Sequence, residues 1–500
     1  MNQQPSAPSR NPHLKTIAIV LAVGSAASLA GWSNARRATP PATTQTVESS
    51  VVAPVTNVPN ATGSATPEQV LDAIPDPLVP SSTTGAKVKK VDTEIARWKA
   101  MARSKPNEPT YWVNLGDAVM QKSRELMDPN YYDYGEKAYL RSLTLSDRNP
   151  EAMLGMAWVA GERHQFANSI EWANKALVIA PQLHAAHGLI GDAYVEIGDY
   201  EAAFKSYQTM LDIRPDISSY SRGAHLLYIT GDTRKAIWLM DKAVKSGGPY
   251  AENTAWCRAQ LATMYLDTGA LVPAEQLLKK ALKATPDNYH VLAAVARAQE
   301  MRGDLKGAIA TYEKAIAVTP QHNALIALGD LYAATGDKAR SEKLYEQVDA
   351  AHEHYLKHGV NGELYMARFW ADHNRQMDRA LKIAEATSDL NNPVDADAVA
   401  WVFYKSGKND EARKMIDLAL VKGGKEPVRL YHAGMIYAKA GQRVAAQNFL
   451  YQALNRNPQF SLIGAPEAVA TMRMLGSLPN TAAENALRAA KVTDSVSHAR

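Results

Sequence analysis

Residues 184–216 read HAAHGLIGDAYVEIGDYEAAFKSYQTMLDIRPD, and the spacing of small and large residues within them decides the fold. Two helix-period segments meet at Gly198-Asp199. Gly191 lets a neighbouring helix approach closely, and Tyr194 fills the gap between helices. Gly198 ends the first helix in a left-handed conformation that costs other residues more. Ala203 allows the second helix a close crossing, and Pro215 stops it.

The same punctuation recurs along the chain. Turn glycines fall at Gly198, Gly231, Gly269, Gly303, Gly336, Gly407 and Gly441, and Ala203, Ala236, Ala274, Ala308, Ala412 and Ala446 each follow five positions later. Terminating prolines stand at Pro181, Pro215, Pro286, Pro320 and Pro458. The intervals 181→215, 286→320 and 407→441 are all 34 residues, the signature of a stacked array of one supersecondary unit.

With Trp112, Leu115 and Gly116 at its start, this pattern resembles the tetratricopeptide repeat family over roughly residues 92–460. The resemblance implies an all-α fold: a right-handed superhelical solenoid of about ten helical hairpins, starting near 109, 150, 184, 217, 255, 289, 322, 361, 393 and 427. A half-repeat helix over Asp92–Ser104 and a capping helix over Pro466–Leu475 complete an array spanning 92–476. Each hairpin of such an elongated array is expected to touch only its neighbours. Two units depart from the pattern. The first carries about ten extra residues over Gln121–Asp133, and the eighth has no turn glycine between Ala371 and Met377.

Upstream, residues 1–37 read as a signal peptide or an N-terminal membrane anchor, with Arg10, His13 and Lys15 before the apolar run Ile17–Ala30. That run is shorter than the roughly 20 residues of a comfortable span. Cleavage after Ala30 or Ala35, anchoring through residues 14–31, and a chance apolar start on a cytosolic protein all remain open. The first two place the protein outside the cytosol, in the periplasm or the cell envelope, which is the expectation. Residues 38–91 read as a flexible tether rich in Pro, Thr and Ala, with one short helix expected at Thr66–Gln69. Residues 477–500 form a polar tail expected to be disordered.

The net charge of +4 resides in Arg10, Lys15, Arg36 and Arg37, so the chain beyond them is formally neutral. A neutral array has no basic stripe to neutralise phosphates, which argues against nucleic acid as a partner. Cys257 is the sole cysteine and reads as a small buried residue. His352-Glu353-His354 with His358 tempts a zinc reading, but Leu356 stands where a His-Glu-x-x-His motif needs its second histidine. A solvent-facing polar stretch on a long helix explains those residues better. No phosphate loop, nucleophile elbow or dinucleotide loop is present, and neither an enzymatic activity nor a cofactor nor a small-molecule substrate is expected.

The resemblance implies that first helices line a concave groove, with positions 2, 5, 9 and 12 of each unit facing it. Position 9 reads Asp117, Trp158, Asp192, His225, Thr263, Arg297, Asp330, Phe369, Trp401 and Met435. The family's clamp for a terminal carboxylate uses Lys and Asn, and Val113, Asp117, Leu154 and Trp158 occupy those places here, which disfavours that mode. The expected partner-binding groove comprises Trp158, Asp192, His225, Tyr228, Arg297, Tyr365, Phe369, Trp401, Tyr404 and Tyr431. The last five would form an exposed aromatic strip, unless the irregular eighth unit or the cap buries them. The function expected is an exported or membrane-tethered scaffold binding another protein. A structural adaptor of a secretion or polysaccharide-export complex is the alternative, and a zinc-dependent hydrolase the remote one.

Overall fold

The computed structural model describes residues 66–76, 89–388, 390–422, 424 and 426–477. The leader at 1–37, most of the tether and nearly all of the 477–500 tail lie outside the described residues. Within them every regular element is an α-helix. Hairpin 1 pairs Pro109–Leu126 with Asn130–Leu145, hairpin 2 Pro150–Glu162 with Phe166–Ile179, and hairpin 3 His184–Ile197 with Tyr200–Ile213. Hairpin 4 pairs Ile217–Ile229 with Thr233–Ser246, and hairpin 5 Ala251–Asp267 with Leu271–Ala284. Hairpins 6 and 7 are Tyr289–Arg302 with Leu305–Val318 and His322–Ala334 with Lys338–Lys357. Hairpins 8 to 10 are Glu363–Asp372 with Met377–Ala386, Pro393–Lys405 with Asn409–Lys422, and Pro427–Lys439 with Arg443–Arg456. Helix Lys90–Ser104 precedes the array and Gly464–Met474 caps it.

Hairpin 3 shows how the sequence builds each unit. Gly198 sits at φ +82°, and the Asp199 amide donates back to the Tyr194 carbonyl at 2.9 Å, closing the first helix. The Asp199 carboxylate then caps the second helix, accepting from the Ala202 amide at 3.1 Å. Asp232, Asp304 and Asp337 do the same for hairpins 4, 6 and 7. A Cβ on Gly191 would lie 2.3 Å from the Tyr207 ring, so only glycine admits that tyrosine between the helices. The Tyr207 hydroxyl donates to Asp192 at 2.7 Å, and Tyr139–Asp117 and Tyr345–Asp330 repeat the bond in hairpins 1 and 7.

The irregular units resolve simply. The extra residues of hairpin 1 lengthen its first helix to 18 residues, which ends on Met127 at φ 54°. In hairpin 8, Asn374 (φ 52°) and Gln376 (φ 39°) take the left-handed positions that glycine fills elsewhere. Part of the expected tether is not free. Thr66 and Gln69 form a reciprocal capping box on helix Pro67–Ala73, which buries Val70, Leu71 and Ile74 in one core cluster with Val91 and Ile95.

The expectation that hairpins touch only their neighbours needs correction. The loop entering hairpin 7 reaches hairpin 1: Thr319 Oγ1 donates to the Leu126 carbonyl at 2.6 Å and Gln321 Nε2 to Met127 at 3.1 Å. The loop entering hairpin 8 meets hairpin 2, where His164 Nδ1 lies 2.6 Å from the Asn361 carbonyl. Asn392, entering hairpin 9, donates to the Glu196 carbonyl of hairpin 3 at 3.0 Å. The Gly424 amide, entering hairpin 10, donates to Ile229 of hairpin 4 at 2.8 Å, and Asn457, before the cap, to Leu266 of hairpin 5 at 3.2 Å. The register is constant. Six hairpins make one turn of the coil, and the second turn lies on the first along a continuous seam. Its chemistry is local: carbonyls at the C-terminal ends of the first helices of hairpins 1, 3, 4 and 5 accept from the loops six units later. In hairpin 2 the turn residue His164 instead meets a carbonyl of the later loop.

Candidate functional site

Coiling this tightly turns the concave groove into an axial channel. Two chambers occupy it, of about 470 and 480 Å³, and His290 lines both. The upstream chamber takes its walls from hairpins 1, 2, 5, 6, 7 and 8 and includes Trp256, His322, His352, Tyr355 and Tyr365. The downstream chamber runs from hairpin 5 to the cap and includes Arg297, Glu300, Asp330, Trp401 and Tyr431.

A ladder of polar bridges stiffens this wall, each joining an aspartate on one first helix to a donor on the next. Asp192 receives both Nε and Nη2 of Arg222, at 2.9 and 2.8 Å. Asp267 pairs with Arg297. Asp330 lies 2.8 Å from His373, Asp372 accepts the Trp401 indole N–H at 2.7 Å, and Asp397 lies 2.9 Å from His432. Burial works against the Asp397 charge, yet His432 beside it holds the carboxyl below its ordinary value. Burial pushes the Glu300 carboxyl up to about 7, with Arg297 lowering it and Asp330 raising it. It pushes the His290 and His322 imidazoles down to about 4, so both are neutral at pH 7.

Of the residues expected in the groove, Arg297, Trp401 and Tyr431 line the downstream chamber and Tyr365 the upstream one. Tyr365 is 48% exposed, yet burial pushes its hydroxyl up to about 12, as befits a ring inside a channel. Asp192 is engaged by Arg222 and Tyr207, Tyr228 donates to Asp267, and the Trp158 indole donates to Glu162 at 3.0 Å. These three, with the exposed His225, stand on first helices outside both chambers.

The exposed aromatic strip is not there. Phe369, Trp401 and Tyr431 are only 2–4% exposed. Phe369 packs edge-on to Tyr345 in the core of hairpins 7 and 8, and Tyr404 stacks on Trp401 at 5.0 Å. Trp401 is also stacked on His432 at 4.1 Å, and the cap covers Tyr431, whose hydroxyl donates to Glu467. The cap therefore supplies the burial that the sequence left open. Only Tyr365 of the five stays exposed.

The histidine cluster is likewise divided rather than solvent-facing. His352 is 2% exposed and meets Trp370 edge-on, while His358 bonds Asp133 across the seam at 3.1 Å. Among the described residues no group of three His, Cys, Asp or Glu side chains could hold a metal ion. Cys257 is buried, as read. Sequence reasoning missed the aspartate ladder and the upstream chamber's His322. The near-constant 30-residue interval of Asp192–Arg222 and Asp267–Arg297 is the one signal that could have found part of it.

Sequence models of the tetratricopeptide repeat match residues 184–217, 260–323 and 296–354. The matched segments are tetratricopeptide repeats, and such repeats make interaction scaffolds. Protein CTR9 homolog of Arabidopsis thaliana is 24% identical over 291 residues, 49% of this chain and 26% of that protein, so the chain spans about a quarter of this relative's length. Similar solved structures include the human IFIT1 dimer with PPP-AAAA, at TM-score 0.40 and 13% identity over 74% of this chain and 95% of that one. Another is pilF of Pseudomonas aeruginosa, at TM-score 0.35 and 16% identity over 42% and 96%.

Proposed function

We propose that this protein is a scaffold whose axial channel receives an extended segment of another protein. The observation that carries the reading is the convergence of first helices on two chambers, both lined by His290, that present polar and aromatic groups inward. Chambers of this size suit short stretches of chain rather than a folded partner. The family models that match are repeats, and the metal chemistry of the remote alternative has no donor set among the described residues. The test is a photo-crosslinking residue at Tyr365, inside the channel, compared with one at the outward Val178, which is 73% exposed. Capture of one discrete partner from position 365 and not from 178 is expected. Equal capture from both would overturn the channel reading.

The leader supports placing the scaffold outside the cytosol, held by or released from the membrane through residues 1–37 and spaced from it by the tether. No helix among the described residues is long and apolar enough to cross a membrane, and the apolar run Ile17–Ala30 lies outside them. A reporter active only after export, fused at residue 90 with and without residues 1–37, tests this. Equal cytosolic signal from both fusions refutes it. Service as an adaptor of a secretion or export complex is the same reading with a membrane partner.

A further inference from the structure

The upstream chamber holds groups that the fold itself leaves unsatisfied. The Nε2 atoms of His322 and His352 are both buried with no hydrogen-bond partner, and both residues line the chamber. His352 is 2% exposed, and the two rings stand 6.4 Å apart, centroid to centroid. A buried polar atom left unpaired costs about 1–3 kcal/mol, so an occupant that satisfies it gains that much. Tyr355 and Tyr365 close around His322 at 5.5 and 5.9 Å, tilted and edge-on.

Charge narrows what the occupant can be. Burial lowers the affinity of both imidazoles for a proton, more so for His322 beside its neighbour, so the pair is neutral and attracts no anion. The chamber's one arginine, Arg124, has its charge paired with Glu252 through Nη2, and its Nε is a third buried group without a partner. A cation fares no better. Glu252 is bonded by Gln121 and Asn253 as well, and Glu162 by Tyr132 and Trp158. What remains is a neutral group that both donates and accepts one hydrogen bond. Walls of ring edges add a preference for a flat aromatic body. A neutral imidazole offers Nε2 as donor in one tautomer and acceptor in the other, so a hydroxyl suits the pair whenever at least one Nε2 carries its hydrogen.

We propose that the upstream chamber is a receptor for a tyrosine side chain of the bound segment, its ring packed among His322, Tyr355 and Tyr365 and its hydroxyl bonded to the imidazoles of His322 and His352. This rests on the channel reading above and names the residue type that anchors the partner. A site built to bond a hydroxyl rejects the analogue that lacks it. The experiment uses the full chain with N-acetyl-tyrosinamide, N-acetyl-phenylalaninamide and p-cresol as probes, followed by ¹⁵N spectra of the imidazoles. Tyrosinamide should bind at least about tenfold tighter than phenylalaninamide and shift the Nε2 resonances of both histidines. The variants His352→Leu and His322→Phe, each first shown to melt cooperatively, should bind the two amides equally. If one variant does not fold, the other decides. Equal affinities in the parent protein, or no binding of either amide, overturn the proposal. Binding of p-cresol without tyrosinamide also overturns it, in favour of a free phenol. Capture from position 365 without tyrosine preference sinks this inference alone, whereas failure of both sinks the channel reading too.

Discussion

The side-chain amide of Asn457 donates to the main-chain carbonyl of Leu266, 3.2 Å away and 191 residues earlier in the chain, with both residues fully buried. One such bond is an ordinary interaction. Its place in a series that joins hairpin to hairpin six units apart makes it part of a seam.

Replacing Asn457 with alanine removes the cross-seam donor to the Leu266 carbonyl, which keeps the Gly269 amide at 2.9 Å, and should cost about 0.5–1.5 kcal/mol. The double variant Asn392→Ala/Asn457→Ala, cut at two points of the seam, should also expand. Urea unfolding measures the first effect and small-angle scattering the second. An unchanged radius of gyration in the double variant would show that neighbour packing alone sets the coil.

Trp401→Ala is expected to act on stability rather than on recognition. The ring is 2% exposed and bonded to Asp372, so its loss should cost roughly 3–5 kcal/mol. Calorimetry should show early melting, while the fraction still folded keeps the partner captured from position 365 in the upstream chamber, which Trp401 does not line. Normal melting with lost binding would restore Trp401 to an exposed groove.

Gly191→Ala should cost about 1–3 kcal/mol, because the new methyl would meet the Tyr207 ring at 2.3 Å. Adding Tyr207→Leu should recover much of that loss, and a double-mutant cycle in urea measures the coupling. Gly198→Ala should be worse tolerated. It meets the φ of +82° and the Asn391 backbone at 2.4 Å together, and no side-chain truncation relieves the second.

Glu300 sets a pH dependence. Its carboxyl is raised in the folded protein from 4.5 to about 7, so the native state holds a proton that the unfolded chain has released. The stability it contributes is therefore present below pH 4.5 and is lost as pH rises towards 7. Glu300→Gln should flatten the stability profile between those limits and leave the variant more stable at pH 8, by about 1–3 kcal/mol given the partial exposure of the side chain. Unfolding curves at half-unit pH steps test this. A slope unchanged by the substitution assigns the titration to another group.

Much of the local structure could be read directly. The turn glycines, capping aspartates and helix-terminating prolines each act within one hairpin, and the expected starts lie within four residues of those observed. The coil's pitch could not be read, because it comes from small rotations summed over six units. The residues that close it, Thr319, Gln321, Asn392 and Asn457, look in sequence like common loop residues. Phe369, Trp401 and Tyr431 were misjudged for a related reason. Their periodic positions are those of groove residues, but hairpin-to-hairpin packing and the cap decide their exposure, and neither follows from period. Only half of the upstream chamber's imidazole pair drew notice. His352 stood out within its cluster, while His322 sits at a helix start where nothing distinguishes it.

A seam closed along its length makes the array a sleeve rather than an open cradle. An open cradle accepts any exposed stretch of a partner, including a loop held between two folded domains. A sleeve is selective by topology: a chain end can be threaded through its mouth, but a loop enters only if the seam parts, breaking buried bonds such as Asn457–Leu266. On the channel reading proposed above, the partners suited to this protein are those with a free terminus to offer, and joining that terminus to a bulky domain should abolish binding without altering a single contact residue.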